Sequence, residues 1–175
     1  DPAELAPELR GARLALVIWT TTPWPLPAPL GIVLHPEMPY VAVPSPRDPG
    51  EHLIGARELA PAFAKAIGGS SDGVELAPVV VKRLEGKRYH HPFIGDARAD
   101  VDFRVWFADY VTAEQGTGLV HTAPGHGADD FVTGQRVGLA AYAPIDDAGR
   151  FTSDAPDWLV GKKTDDANPL IIEHL

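Results

Sequence analysis

The sequence contains no cysteine, which excludes disulfide bridges and thiolate metal sites and makes a cytoplasmic setting the default expectation. It lacks any run approaching the roughly 18 apolar residues of a membrane span, so no membrane partner is expected. It also lacks an excess of base. With 15 Lys and Arg against 24 Asp and Glu, the net charge is -9. That balance excludes a strong free-standing nucleic-acid binder, because such binding draws most of its strength from cationic side chains on phosphates. If nucleic acid is a partner, something else must supply most of the grip. The opening DPAELAPELR is acidic and has no apolar core, so no signal peptide is expected. Asparagine occurs once, at Asn168, and glutamine twice, at Gln115 and Gln135, beside 18 prolines. Few labile amides and many prolines fit a heat-adapted source and a GC-rich genome equally well.

What is present is globular: 175 residues, 45% hydrophobic and 22% charged, enough for one domain with a real core. LALVIWT (14–20) reads as a buried strand, too short and too β-branched for a helix. Pro23, Pro25, Pro27 and Pro29 bar regular structure until GIVLH (31–35), and YVAV (40–43) follows as another strand. Residues 44–52 read as a surface loop, and 56–69 as a helix stopped by Gly68 and Gly69. Strands are expected at 75–84, 101–111 and 118–123, and a short helix over 127–138 with Asp129 and Asp130 in its first turn. DDAGRF (146–151) reads as a hairpin-type turn. Residues 164–175 read as a closing helix capped by Thr164, with Leu170, Ile171, Ile172 and Leu175 as its apolar face. The chain stops inside that helix, which suggests a piece of something longer. Many short strands with few helices predict a mixed α/β fold, a barrel or curled sheet decorated by helices.

Two stretches carry the candidate chemistry. WTTTPWPLP (19–27) sets three hydroxyls between two tryptophans, and GTGLVHTAPGHGADDF (116–131) joins a strand, a Pro-Gly turn and a helix start. Glycines 116, 118, 125 and 127 permit close backbone approach or positive φ, so something is expected to dock against this backbone. Three physical readings compete. A metal site could draw on His121, His126 and Asp129 or Asp130, with His90 and His91, although a spacing of five is not a helical zinc pair and Pro124 bars a helix there. Nucleophilic catalysis has little to work with, because Ser45, Ser70, Ser71 and Ser153 sit in ordinary loops without a Gly-x-Ser-x-Gly elbow. A small-molecule pocket could use a carboxylate at a helix start for a cation, with threonine hydroxyls and backbone amides around it. Each residue also has a plain reading: His121 as a core histidine, the two aspartates as helix-end charges, Trp19 and Trp24 as core.

Taken together, WTTTPW and GTGLVHTAPGHGADDF resemble the editing domain inserted into class I aminoacyl-tRNA synthetases, the isoleucyl enzymes most closely. The pattern continues through YHHPF (89–93), DYVTAEQGTG (109–118) and ANPLIIEHL (167–175), and is weaker over 44–88. Thr22 stands where the valyl and leucyl relatives carry arginine, and Pro-Gly-His-Gly stands where they usually read Pro-Ala-His-Asp. Neither His-Ile-Gly-His nor Lys-Met-Ser-Lys-Ser is present, so the resemblance implies the editing module alone, residues 1–175 as one domain cut from a larger synthetase.

The resemblance implies a distorted closed β-barrel core with peripheral helices. It implies hydrolysis of valine wrongly esterified to tRNA(Ile), and of misactivated valyl-adenylate, without metal or cofactor. The implied partners are the tRNA 3′ end carrying valine and the remainder of the synthetase. One missing methylene changes binding by only about 1–3 kcal/mol, for which isoleucyl-tRNA synthetase is itself the standard illustration. A second, smaller pocket rejects isoleucine by overpacking.

Carried over by motif, Asp130 resembles the carboxylate that holds the substrate α-ammonium. Thr20, Thr21 and Thr22 resemble the threonine wall, with alternate residues of a strand lining one face and Pro23 turning it. Trp24 resembles a residue that adjusts to the two substrates, and His121 the histidine near the amino-acid side chain. Trp19, Gly125, His126 and Gly127 complete the implied binding set. Hydrolysis would rest on positioning and on donors facing the oxyanion, with the vicinal tRNA hydroxyl orienting water. Two departures stand out: Pro25 replaces the usual threonine and Pro29 the usual asparagine, each removing a side-chain donor and a backbone N–H that could serve the terminal adenosine. A binding module without turnover and a metal-dependent hydrolase built on His121, His126 and Asp129 remain the alternative readings.

Overall fold

The apolar runs GIVL and YVAV become β2 (Gly31–Leu34) and β3 (Tyr40–Pro44), and all of their residues except Pro44 are buried. Continuous apolar strands of this kind are stable only when both faces are covered. In the computed structural model, which describes residues 1–28, 31–70, 76–94 and 102–175, β3 lies inside a four-stranded sheet. Its order is β1 (Arg13–Leu16), β4 (Glu51–Ala56), β3, β5 (Ala77–Val79). β1 runs parallel to β4, pairing Arg13 with Glu51 and Leu16 with Ile54. β3 runs antiparallel to β4 and β5, pairing Tyr40 with both Ala56 and Val79. A second sheet has the order β6 (Arg104–Phe107), β2, β7 (Leu119–Thr122).

The expected mixed α/β class is thus found. The closed barrel is not: among the described residues the strands form two separate sheets. β4 is a strand where a loop and a helix start were expected. Glu51, His52 and Gly55 flank only two large apolar residues, so neither alternation nor a long apolar run marks it; pairing on both sides with β1 and β3 makes it a strand. β1 ends at Leu16 instead of continuing to Thr20, although the Val17 N–H still donates to the Ile54 carbonyl at 3.2 Å. β5 is cut to three residues, with Pro78 in its middle, and a 3₁₀ turn, Val81–Arg83, replaces its expected second half. Pro78 has no N–H to give, and its strand is accordingly an edge.

The chain groups into two compact units. The first comprises Asp1–Trp19, Val33–Lys87 and Val105–Val120. There α1 (Ala60–Ala66), preceded by a 3₁₀ turn (Arg57–Leu59), packs Phe63 and Ala64 with Val41, Val43 and Leu53. Gly55 is required beneath it, since a Cβ there would stand 2.3 Å from the Phe63 ring. The Tyr40 hydroxyl, fully buried, donates to the Gly118 carbonyl at 2.7 Å and accepts from the His35 N–H at 2.9 Å, and burial pushes its pKa up to about 12.

The second unit comprises Thr20–Ile32, Arg88–Arg104 and His121–Leu175. α2 (Ala128–Val137) ends on Gly138 at φ 78°, the left-handed cap that its sequence predicts. The DDAGRF turn is present: Asp146 and Arg150 bond through their backbones, and Ile145 bridges Phe151. α3 (Thr164–His174) differs from expectation at both ends. Lys163, not Thr164, occupies the cap position, without a side-chain bond. Of the expected apolar face only Ile171 is fully buried, together with Ala167 one turn earlier, whereas Ile172 and Leu175 are 60% and 67% exposed.

Candidate functional site

Of the site residues carried over by motif, all but Trp19 fall in the second unit; Trp19 belongs to the first, where its side chain covers Gly116. The site is best built from the turn after β7. The strand ends at Thr122, and Ala123 to His126 close a turn in which the His126 N–H donates to the Ala123 carbonyl at 2.8 Å. Gly127, in extended conformation, is the N-cap of α2 and has no side chain to cap with. Asp130, in the first helical turn, reaches back instead: its Oδ2 accepts the Ala123 N–H at 3.1 Å. A Cβ on Gly127 would sit 3.0 Å from that oxygen. The carboxylate therefore ties the end of the strand to the start of the helix, at the positive end of the helix dipole. Asp129 is exposed on the neighbouring position.

The turn is braced on two more sides. A Cβ on Gly125 would stand 2.3 Å from the Tyr142 carbonyl oxygen, and one on Gly134 in α2 would stand 2.7 Å from the Pro124 ring. What docks against the glycines of this stretch is the chain itself. Trp19 lies on Gly116, Ala56 on Gly118, the Tyr142 backbone on Gly125 and the Asp130 carboxylate on Gly127.

The threonine run is not a strand. Thr20 accepts the Thr22 N–H and donates to the Thr22 carbonyl, both at 3.1 Å, so the run folds back on itself. The Thr21 and Thr22 hydroxyls are 3.5 Å apart and both residues are exposed. The physical reason is local: a threonine hydroxyl two residues ahead of an N–H offers the backbone a turn in place of a ladder. Pro23 and Pro25 then head successive turns, their carbonyls accepting the Leu26 and Ala28 N–H groups at 2.9 and 2.8 Å. Pro25 is buried, so its departure from the family pattern is accommodated as a turn former. Pro29 lies outside the described residues.

Trp24 meets the edge of His126, ring centroids 4.8 Å apart and planes 80° to each other. His126 Nε2 and His121 Nδ1 are both sealed from solvent without a hydrogen-bond partner. Burial lowers the pKa of His121 against an opposing pull from the Asp130 charge. Burial also lowers that of His126, helped by His121 and opposed by Asp130. The two imidazoles and the carboxylate thus form one electrostatic cluster, with both rings neutral at neutral pH. His91, fully buried, feels His121 as well: burial pushes its pKa down to about 4, although a hydrogen bond to the Leu26 backbone pulls it up. Its Nδ1 accepts the Phe93 and Ile94 N–H groups at 3.2 and 3.3 Å, so YHHPF is a structural clasp on the Pro-rich segment. The trio His121, His126 and Asp129 proposed for a metal is not assembled. Among the described residues no three His, Cys, Asp or Glu side chains are grouped to hold an ion.

One residue of the site escaped sequence reasoning. The Trp24 N–H donates to the Oδ1 of Asn168 on α3 at 2.9 Å. The available signal was the chain's lone asparagine, placed inside a helix and immediately before a proline.

A scan against protein-family models finds no match. Solved structures do match. GlLeuRS-CP1 superposes with a TM-score of 0.69 over 93% of this chain and 77% of its own, at 15% identity. The P. knowlesi cytosolic leucyl-tRNA synthetase editing domain superposes at 0.61 over 94% and 82%, at 10% identity. At such identities the likeness is one of fold, and it defines the class: this is the fold of the class I synthetase editing (CP1) domains. Sequence relatives narrow the class. The isoleucine–tRNA ligase of Sulfurihydrogenibium sp. is 49% identical over 160 residues, covering 91% of this chain and 16% of that one. The Synechococcus sp. enzyme is 46% identical over 177 residues, 99% of this chain and 18% of that one. That of Aquifex pyrophilus is 41% identical over 180 residues, 98% of this chain and 33% of that one. The chain belongs to the isoleucine–tRNA ligase family, of whose first two relatives here it spans less than a fifth.

Proposed function

We propose that this segment hydrolyses valine from tRNA(Ile), and valyl-adenylate, as the editing module of a cytoplasmic isoleucine–tRNA ligase. The observation that carries the reading is the cluster of Asp130, His121 and His126 around one braced turn. An α-ammonium would pair with the Asp130 carboxylate. Because burial keeps both imidazoles neutral, neither competes as a cation for it. A carboxylate at the positive end of a helix dipole is suited to a charge-assisted bond with a cation. Water then attacks the ester carbonyl, the bond to the terminal ribose oxygen breaks, and a proton from the water ends on that oxygen, releasing valine and tRNA. An aminoacyl ester is already activated, so positioning and hydrogen-bond donors for the developing oxyanion suffice. Threonine hydroxyls are donors of the right kind, and the reading gives His121 the task of limiting the side chain admitted. The rest of the ligase supplies most of the tRNA affinity, in keeping with the acidic charge of this segment.

The test is deacylation of valyl- and isoleucyl-tRNA(Ile) by the chain at high concentration and by the intact ligase, each beside Asp130→Asn. Asparagine can still accept the Ala123 N–H but carries no charge. Selective loss of the valyl ester, abolished by Asp130→Asn, is expected. Undiminished hydrolysis by the variant would remove the carboxylate from the mechanism, and ligand retention without turnover in the wild type would favour a binding module.

A further inference from the structure

Asn168 carries two features unfavourable to its own helix. Asparagine is a weaker helix former than alanine, and a residue before proline is pushed away from helical angles. Yet α3 is continuous through Asn168 and Pro169. The side chain is not used to cap or to bond α3 internally; its Oδ1 accepts the Trp24 N–H at 2.9 Å, across 144 residues of sequence. Asn168 is next to the fully buried Ala167 and one turn before the fully buried Ile171, so α3 is anchored on both sides of it. Trp24 in turn sets its ring against His126.

We propose that Asn168 is a positioning residue. It fixes the backbone at the Thr-Pro-Trp corner, and thereby the Trp24–His126 pair, so that α3 acts on the candidate site through this hydrogen bond. This rests on the editing reading for its consequence in catalysis, but not for the tie itself. Alanine at 168 suits the helix better than asparagine, so Asn168→Ala removes the tie without weakening α3. Asn168→Asp retains an oxygen in the same place.

Two measurements test it. In the 175-residue chain, amide exchange should show the Trp24 N–H losing about tenfold or more of its protection in Asn168→Ala, with Ile171 unchanged and Asn168→Asp close to wild type. In the intact ligase, Asn168→Ala should lower kcat for valyl-tRNA(Ile) deacylation by about tenfold with KM nearly constant, as misplaced groups do, and Asn168→Asp should restore most of it. Unchanged Trp24 protection in Asn168→Ala overturns the tie. Lost protection with unchanged kcat overturns its role in positioning. A wild-type ligase that leaves the valyl ester intact sinks the editing reading instead, and the exchange measurement then decides the tie alone.

Discussion

Asp130 is assigned two tasks, holding a substrate cation and joining β7 to α2, and a pair of substitutions separates them. Ala123 is fully buried, and its N–H donates to Asp130 Oδ2 at 3.1 Å. Alanine at 130 removes that acceptor and leaves a buried donor unsatisfied, which costs about 1–3 kcal/mol. Taking about 2 kcal/mol, and about 2–4 °C per kcal/mol for a chain of this size, Asp130→Ala should lower Tm by about 4–8 °C. Asparagine keeps an oxygen at the same place and loses only the charge. Charge-assisted bonds exceed neutral ones by about 1 kcal/mol, so Asp130→Asn should lower Tm by about half as much.

A second signature is shared by both variants. The Asp130 charge raises the pKa of His121 and of His126, so its loss should let both fall further. The assay is thermal and urea unfolding of the three proteins, with NMR titration of the two imidazoles. An alanine variant at least as stable as the asparagine one would refute the structural tie. Imidazole titrations identical to wild type in both variants would refute the electrostatic cluster. If both hold, lost editing in Asp130→Asn is a statement about charge rather than folding.

Two further expectations concern the braces of the same unit. Gly125→Ala brings a Cβ to 2.3 Å from the Tyr142 carbonyl oxygen, and because backbone cannot rotate away the overpacking should cost about 1–3 kcal/mol. Gly127→Ala, whose Cβ would find the flexible Asp130 side chain as its nearest neighbour, should cost less in denaturant titrations, and the reverse order would sink the argument. The fully buried His91 has its pKa depressed by burial from the ordinary 6.5 to about 4, so the unfolded chain binds the extra proton and the folded one does not. Its contribution is therefore complete above about 6.5 and is lost as pH falls toward about 4, on the order of 3 kcal/mol at most. Unfolding free energies that stay level between about pH 7 and 5, where carboxylates remain ionised, would contradict it.

Much of the scaffold was legible because its signals are local. Gly138 after an amphipathic stretch opened by two acids marks α2 at both ends, and GIVL and YVAV have no use but burial. What was missed depends on partners distant in sequence. β4 has no pattern of its own and exists through β1 and β3. The threonine run has strand-forming side chains, but its local hydroxyl bonds compete with a ladder and win. Asn168 stands 144 residues from the N–H it accepts, and only its oddity inside a helix could have drawn notice. The chemistry-bearing residues themselves stood out because histidine and aspartate are costly to bury and so are conspicuous in a short motif.

The glycines of GTGLVHTAPGHGADDF change meaning once their neighbours are known. Each is filled by the protein itself, so the motif's capacity for chemistry falls on His121, His126 and Asp130, and the glycines between them serve rigidity. Rigidity is what the proposed reaction demands. A pocket that tells valine from isoleucine by one methylene has only about 1–3 kcal/mol to work with, and a wall that yields by a few tenths of an ångström surrenders most of it. The turn between the two histidines is held at Ala123 by the Asp130 carboxylate, at Pro124 by Gly134 of α2 and at Gly125 by the Tyr142 backbone. Three contacts on three consecutive residues leave that segment little room to relax. In the editing reading, therefore, selectivity should be lost by loosening the turn as readily as by changing the residues that line it.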